Sequence, residues 1–259
     1  MTEIIAIIIG SLIVICVGLP LIAIIFLVAW APIILPIYFI YRYKKQKRAE
    51  AIAAYESSTY FQNTNRPYDC TMNDSGFLGE YLIYEKLKFR ESVGAKFLFN
   101  AYLPTVNNKT TEVDVIMIDQ YGIFVFESKN YSGWIFGNEN SKQWCQCLKA
   151  SRYDSQKEYF YNPIMQNKTH IKAIRHQIKQ DWIPMYSIIA FSDRCDFMEI
   201  PNGHNIIHRN NVNKTVSNIF NKNQPCLNDK QVEWIYNKLY PYTQVTEDIK
   251  QKHIQTTCM

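Results

Sequence analysis

The sequence predicts a mixed α/β domain placed behind an N-terminal membrane-spanning segment. Three observations carry that expectation. An uncharged run of 38 residues, Ile4 to Tyr41, is followed at once by RYKKQKR. Short β-rich runs lie close together between residues 96 and 136. Helix-period patterns flank them, one near GFLGEYLIYEKL and one near YNPIMQNKTHIKAI. The chain has 259 residues, 47% of them hydrophobic and 20% charged, with nine Gly and ten Pro. That excludes a disordered or collagen-like chain and leaves length for one or two domains with a real core.

The apolar run would be roughly 57 Å long as one helix, and a bilayer core of about 30 Å needs only about 20 residues. A cleaved signal peptide fits badly, because MTE offers no basic n-region and the run is too long. A core helix would carry a polar face, and this run has none. The expected form is a single span ending in an interfacial stretch around Trp30, Pro32 and Pro36. The alternative is a two-span hairpin turned at Gly18 and Pro20. RYKKQKR should stay on the cytoplasmic side, so the remainder faces the cytoplasm, with lipid headgroups as the partner of the basic run.

Charge then narrows the classes. The net charge is +5 from 28 Lys/Arg and 23 Asp/Glu. Setting aside the five cations of residues 42–48 and Glu3 leaves 23 Lys/Arg against 22 Asp/Glu. A strongly basic nucleic-acid-binding surface is therefore not expected from charge. Seven scattered cysteines read as reduced thiols, with Cys145 and Cys147 too close for a relaxed bridge and lacking a second pair for zinc. His204 and His208 sit four apart, but in a strand-like segment where that spacing does not make a metal pair.

The elements follow in order. Residues 49–75 suggest a short helix and then a linker. Gly76, Gly79, Glu80, Ile83 and Leu87 fall at helical spacing, so Glu80 shares the inward stripe. Strands are expected at Lys96–Leu103, Glu112–Asp119, Ile123–Lys129 and Trp134–Phe136. A helix should begin at Pro163, with Ile164, Ile171, Ile174 and Ile178 on one side and Lys168, Lys172, Arg175 and Lys179 facing solvent. Ser187–Phe191 and Asn205–His208 read as further strands, and 229–240 as an amphipathic helix. The resulting organisation is 1–41 anchor, 42–75 juxtamembrane segment and linker, 76–240 folded domain, and 241–259 tail.

Three charged residues occur where strands should be buried. Glu127 and Lys129 lie two apart in GIFVFESKN and share a face. If Asp119–Gly122 turns a hairpin with Ile118 opposite Ile123, then Asp114 falls opposite Glu127, with Cβ atoms about 5 Å apart. Carboxylates so placed repel each other unless a cation lies between them. Mg²⁺ or Mn²⁺ suits such oxygen ligands and can polarise a phosphoryl oxygen or activate water. Lys129 can neutralise charge developing on a phosphate, and Glu80 can add a ligand or a base. The same spacing also fits a buried Glu–Lys pair with structural work only.

With these motifs in view, GFLGEYLIYEKL, TTEVDVIMIDQYGIFVFESKNYSGWIFG and YNPIMQNKTHIKAI resemble the nuclease-related domain (NERD) family over about 76–191. The resemblance implies membership of the PD-(D/E)xK superfamily and a restriction-endonuclease-like core, a mixed central sheet flanked by helices. It implies catalytic positions at Glu80, Asp114, Glu127, Lys129 and Gln166, with Asp114, Glu127 and Glu80 as metal ligands and Asn162, Pro163 and Gln166 forming the helix motif. Ser128 departs from the apolar residue expected there and points away from the catalytic face. Tyr131, Trp134 and Trp144 read as aromatics packing over the sheet, with base stacking as the alternative.

The expected function is a membrane-anchored, Mg²⁺-dependent nuclease acting on nucleic acid, with DNA the expected substrate and no organic cofactor. A catalytically silent, membrane-tethered binding or scaffold module on the same fold is the alternative. The intact acid–lysine set favours the enzyme, because a pure scaffold gains nothing from opposed buried carboxylates; the near-neutral body counts against strong DNA affinity, which rests heavily on phosphate neutralisation.

Overall fold

A computed structural model describes residues 19–105, 109–149 and 155–257. The chain divides into two units, residues 1–54 and 55–259. In the first, the described helix α1 (Leu19–Glu56) passes Pro32 and Pro36 without ending. The expected anchor begins at Ile4, so its first part lies outside the described residues. Among the described residues no helix is long and apolar enough to cross a membrane.

The second unit opens with three helices, α2 (Thr59–Thr64), α3 (Tyr68–Asn73) and α4 (Ser75–Leu87). The stretch expected as a linker is therefore helical. Its polarity is misleading, because Tyr55 and Tyr60 are fully buried and join the core under α4. Asp74 starts α4: its Oδ1 accepts from the N–H groups of Gly76 and Phe77 at 2.8 and 2.9 Å, which satisfies donors the first helical turn leaves open.

Among the described residues nine strands follow: β1 (Lys96–Pro104), β2 (Thr110–Asp119), β3 (Gly122–Lys129), β4 (Gly133–Phe136), β5 (Gln143–Lys149), β6 (Ser155–Tyr161), β7 (Met185–Phe191), β8 (Cys195–Glu199) and β9 (Asn205–His208). The described residues of the unit also form the α-helices α5 (Pro163–Ile178), α6 (Val212–Lys222), α7 (Asp229–Leu239) and α8 (Glu247–Thr257). The main sheet has the order β1-β2-β3-β7-β9, antiparallel through β3 and parallel beyond it. The architecture is mixed α/β, a mixed sheet flanked by helices. The hairpin has the expected register, Ile118 opposite Ile123.

Two apolar layers cover the sheet. Ile83, Tyr84 and Leu87 of α4 and Val216 of α6 pack with Phe97, Val115, Met117 and Phe126 on one face. Ile174 and Ile178 of α5 and Ile235 of α7 pack with Leu98, Val113, Ile116 and Val125 on the other. Val113 and Val115, two residues apart, thus face opposite layers, against the strict alternation of a strand. The break is local. The β1–β2 pairing skips Asn100 and Asp114, and Asn100 sits at φ +50°, a region that Asn tolerates better than most residues. Asp114 therefore stands at a kink in the sheet.

The smaller sheet, β6-β5-β4-β8, was expected only at β4. Its inner residues Ile135, Trp144 and Phe160 pack on Ile189 and Phe191 of β7. Val212–Lys222 was likewise not expected as a helix; it buries only Val212 and Val216.

Candidate active site

Glu127, Lys129 and Asp114 meet where β2 and β3 part. The ladder ends at Val115 opposite Phe126, one pair short of the Asp114–Glu127 pair that extrapolation expects. In place of that pair, Asp114 Oδ2 accepts the Ser128 backbone N–H at 2.7 Å. The carboxyl thus takes the place of a ladder bond that the kink removes.

Glu127 is 1% exposed, and both its oxygens are engaged. Lys129 Nζ stands 2.8 Å from Oε1, and His170 Nε2 stands 2.8 Å from Oε2. An ionised carboxylate only accepts, so Nε2 carries a proton. His170 Nδ1 is then tied to the Thr111 hydroxyl at 2.8 Å. Lys129 Nζ also donates to Gln166 Oε1 at 3.0 Å.

Helix α5 supplies these partners because of how it begins. Asn162 is fully buried; its Oδ1 accepts from the Ile164 N–H at 2.9 Å, and its Nδ2 donates to the carbonyls of Asn138, Glu139 and Ser141. Pro163 follows in the first turn. One turn on, Asn167 Nδ2 donates to the Val125 carbonyl and the Ser187 hydroxyl at 2.9 and 2.8 Å, which pins α5 to β3 and β7. Gln166 and His170 are one turn apart and so share a face. His170, Thr111 and Asn167 were not among the expected site residues. The available signal was two polar residues, Asn167 and His170, on the stripe that also buries Ile174 and Ile178. Lys168 and Lys172 of α5 and Lys179 at its C-terminal cap are exposed, as expected for a solvated face, and Arg175 bonds the Asp181 carbonyl.

The charges pull the two acids apart. Burial and the negative charges of Glu127 and Glu80 push the Asp114 carboxyl well above its ordinary range. Burial also opposes ionisation of Glu127, but the Lys129 charge and the His170 hydrogen bond outweigh it and hold that carboxyl below its usual value. For Lys129 the same pair overcomes burial in turn: the Glu127 and Asp114 charges hold the ammonium above its ordinary value. Two acids at one strand end thus have opposed shifts, one held by a cation and a hydrogen bond and the other pushed up by burial and like charge.

Glu80 does not join this group by contact. Its Oε1 accepts from Asn100 Nδ2 at 3.0 Å, while Oε2 meets Tyr60 OH at 3.3 Å and Arg66 Nη1 at 3.4 Å. Burial, only partly offset by Arg66, raises its carboxyl to about 7. It reaches Asp114 through space.

A cavity of about 550 Å³ opens beside Asp114, with Thr111, Gln166, His170, Tyr161 and His253 among its lining residues. Among the described residues no three His, Cys, Asp or Glu side chains are grouped to hold a metal ion. His204 instead meets Glu139 at 3.3 Å, and His208 stacks on Phe197. The five described cysteines are free, and Cys16 and Cys258 lie outside the described side chains. Trp144 is buried and Tyr131 packs on Phe160 at 4.3 Å, in line with the core reading. Trp134 is exposed.

Residues 75–192 match the nuclease-related domain family. The chain is 31% identical over 184 residues to an uncharacterized protein of Bacillus anthracis, covering 70% of this chain and 82% of that relative. No solved structure matches it. The order of motifs, the match across α4 to β7 and the extent of this likeness lead to one conclusion: the chain belongs to the nuclease-related domain (NERD) family.

Proposed function

We propose that the protein is a membrane-anchored, metal-dependent nuclease of the PD-(D/E)xK type, acting on nucleic acid, with DNA as the substrate. The observation that carries this reading is the meeting of Asp114, Glu127, Lys129 and Gln166 at the end of β3, beside an open cavity. A purely structural Glu–Lys pair needs no second acid pushed out of its ordinary range next to it.

The donor set fits a hard divalent cation. Mg²⁺ usually keeps waters and takes one or two protein carboxylates, and Asp114 and Glu127 are two carboxylates whose mutual repulsion a cation relieves. Held there, Mg²⁺ or Mn²⁺ supplies polarisation of a phosphoryl oxygen and a more acidic attacking water. The chain does the rest. Lys129, held by Glu127 and Gln166, offers a fixed positive charge to the phosphate, and a fixed charge costs no reorganisation during reaction. His170 and Thr111 fix the orientation of Glu127. Glu80 acts as a buried negative charge that deepens the preference of the site for a cation.

One observation favours the second reading, a silent binding module: both oxygens of Glu127 are already closed by Lys129 and His170. Cleavage of labelled DNA by the full chain in Mg²⁺, abolished by EDTA and by Glu127→Gln, supports the nuclease. Absence of cleavage with DNA still bound supports the module.

The membrane reading rests on the uncharged run and on α1, where Ile33, Leu35, Ile37, Phe39 and Ile40 are all exposed around the helix. The part of α1 up to Tyr41 carries no charge on any side, and such a stretch calls for an apolar surrounding. The basic run Arg42–Arg48 supports a cytoplasmic position for the domain. A reporter fused after Met259 that works only outside the cytoplasm would contradict this.

A further inference from the structure

The outward face of the smaller sheet carries exposed aromatic side chains that the core does not use. The register across β4, β5 and β6 fixes which residues share that face. Trp134 opposes Cys147, which opposes Lys157; Phe136 opposes Cys145, which opposes Tyr159. The alternate residues Ile135 and Trp144 are buried. Trp134 is 44% exposed, Tyr159 65% and Tyr161 50%. Single exposed apolar residues are ordinary on a protein surface, but Trp134 on β4 and Tyr159 and Tyr161 on β6 share one face of the sheet, with β5 between the two strands. Cys145 lies half-buried along its middle, while Cys147, between Trp134 and Lys157, is covered and only 7% exposed. With strands about 4.8 Å apart, the flanking strands β4 and β6 stand about 10 Å apart, so the patch is a shallow trough with aromatic walls.

The trough is continuous with the catalytic cavity. Tyr161 ends β6 and also lines the cavity beside Asp114 and His170. Its charges are asymmetric: Lys157 stands on the β6 side, while Asp196 and Glu199 sit on β8 at the opposite edge. Glu158 of β6 belongs to the opposite face, so on this face the backbone of a nucleic acid meets a cation along β6 and carboxylates along β8.

We propose that this face is a stacking platform for the unpaired bases of a single-stranded stretch of nucleic acid, whose backbone follows β6 and enters the cavity past Tyr161. The choice of partner rests on the nuclease reading of that cavity. Bases present free faces to aromatic side chains only when unpaired and unstacked, since in a duplex each face is covered by a neighbour. Stacking on such platforms is insensitive to sequence because every base has a π-face.

The test uses the full chain in detergent micelles, with EDTA present so that nothing is cut. Fluorescence anisotropy measures binding of a labelled oligothymidylate and of a duplex of equal length. Trp134→Ala and Tyr159→Ala should each weaken oligothymidylate binding by about five-fold or more. Trp134→Phe and Tyr159→Phe should bind as the wild type does, and duplex binding should not change in any variant. Tyr159 is largely exposed and Trp134 about half exposed, so Tyr159→Ala should melt near the wild type and Trp134→Ala somewhat below it, with both variants folded at the assay temperature. Unchanged oligothymidylate affinity in both alanine variants overturns the proposal, and so does an equal loss for duplex. A wild-type oligomer, seen by light scattering without nucleic acid, that dissociates in Tyr159→Ala makes the face a self-association surface and also overturns it. Cleavage with Mg²⁺ is read separately on the wild type. Platform-dependent binding without cleavage defeats the nuclease reading alone; cleavage with unaltered binding in the alanine variants defeats the platform alone.

Discussion

Replacing Lys129 with methionine removes a charge from the site while keeping most of the side chain's apolar bulk. The Lys129 side chain is 16% exposed and that of Glu127 1%, so the substitution leaves a buried carboxylate with His170 as its remaining polar partner. Removing one member of a buried ion pair costs about 3–5 kcal/mol. The 2.8 Å His170 contact survives, which places this case near the low end, about 3 kcal/mol. For a folded unit of this size each kcal/mol shifts the melting temperature by about 2–4 °C, so a fall of about 6–12 °C is expected. Catalysis responds on a separate scale: loss of one well-placed electrostatic group costs about 10²–10³ in rate. Circular-dichroism melting and DNA cleavage on one preparation read both. A Lys129→Met protein that melts with the wild type and cuts at the wild-type rate would refute the role assigned to the pair.

Asp114→Asn should remove most of any Mg²⁺-induced rise in melting temperature and abolish cleavage. Its metal-free stability should be unchanged or higher, because the amide oxygen still accepts from Ser128 N–H while the repulsion from Glu127 is gone; a retained metal shift contradicts a shared cation. Gly79→Ala should destabilise by about 1–3 kcal/mol, since an added Cβ would sit 2.4 Å from Ser128 Oγ and 3.1 Å from Arg209 Nη2. Ser128→Ala, which also removes a buried hydroxyl without a partner, should recover much of that loss in the double variant, and denaturant melts of the four proteins give the coupling. Glu80, raised to about 7 in the fold from 4.5, binds its proton more tightly folded than unfolded. Its contribution to stability is therefore greatest below about 4.5 and lost as pH rises to about 7. Glu80→Gln should flatten the melting-temperature profile between those values, and an unchanged slope would remove Glu80 as its source.

How far the sequence carries can be judged from particular elements. The β2–β3 hairpin was legible to the residue pair, because its turn lies between two strongly apolar runs and one face is buried on each side. That register placed Asp114 near Glu127. The kink was not legible: it depends on Asn100 adopting positive φ in β1, a tertiary event with a weak local signature. The strands β5, β6 and β8 escaped for a different reason. They bury one face only, and their outward residues include Gln143, Cys145, Lys157 and Tyr159, so no apolar run marks them. Hydrophobic periodicity likewise hid His170. An apolar template passes over polar residues on an inward stripe, yet a polar residue there must be satisfied, and the carboxylate that satisfies His170 is Glu127. Glu80 was correctly placed on the inward face of α4, but its partner Arg66 comes from a segment read as linker, so its engagement could not be foreseen.

The most direct test of the central claim is the initial rate of phosphodiester cleavage by the full chain in Mg²⁺, measured beside Asp114→Asn at equal protein concentration and equal melting behaviour. A metal-dependent nuclease at the end of β3 predicts cleavage by the wild type, none with EDTA, and a loss of at least about 10² in the variant. Equal rates in the two proteins, or no cleavage of any nucleic acid by well-folded wild type, would contradict it.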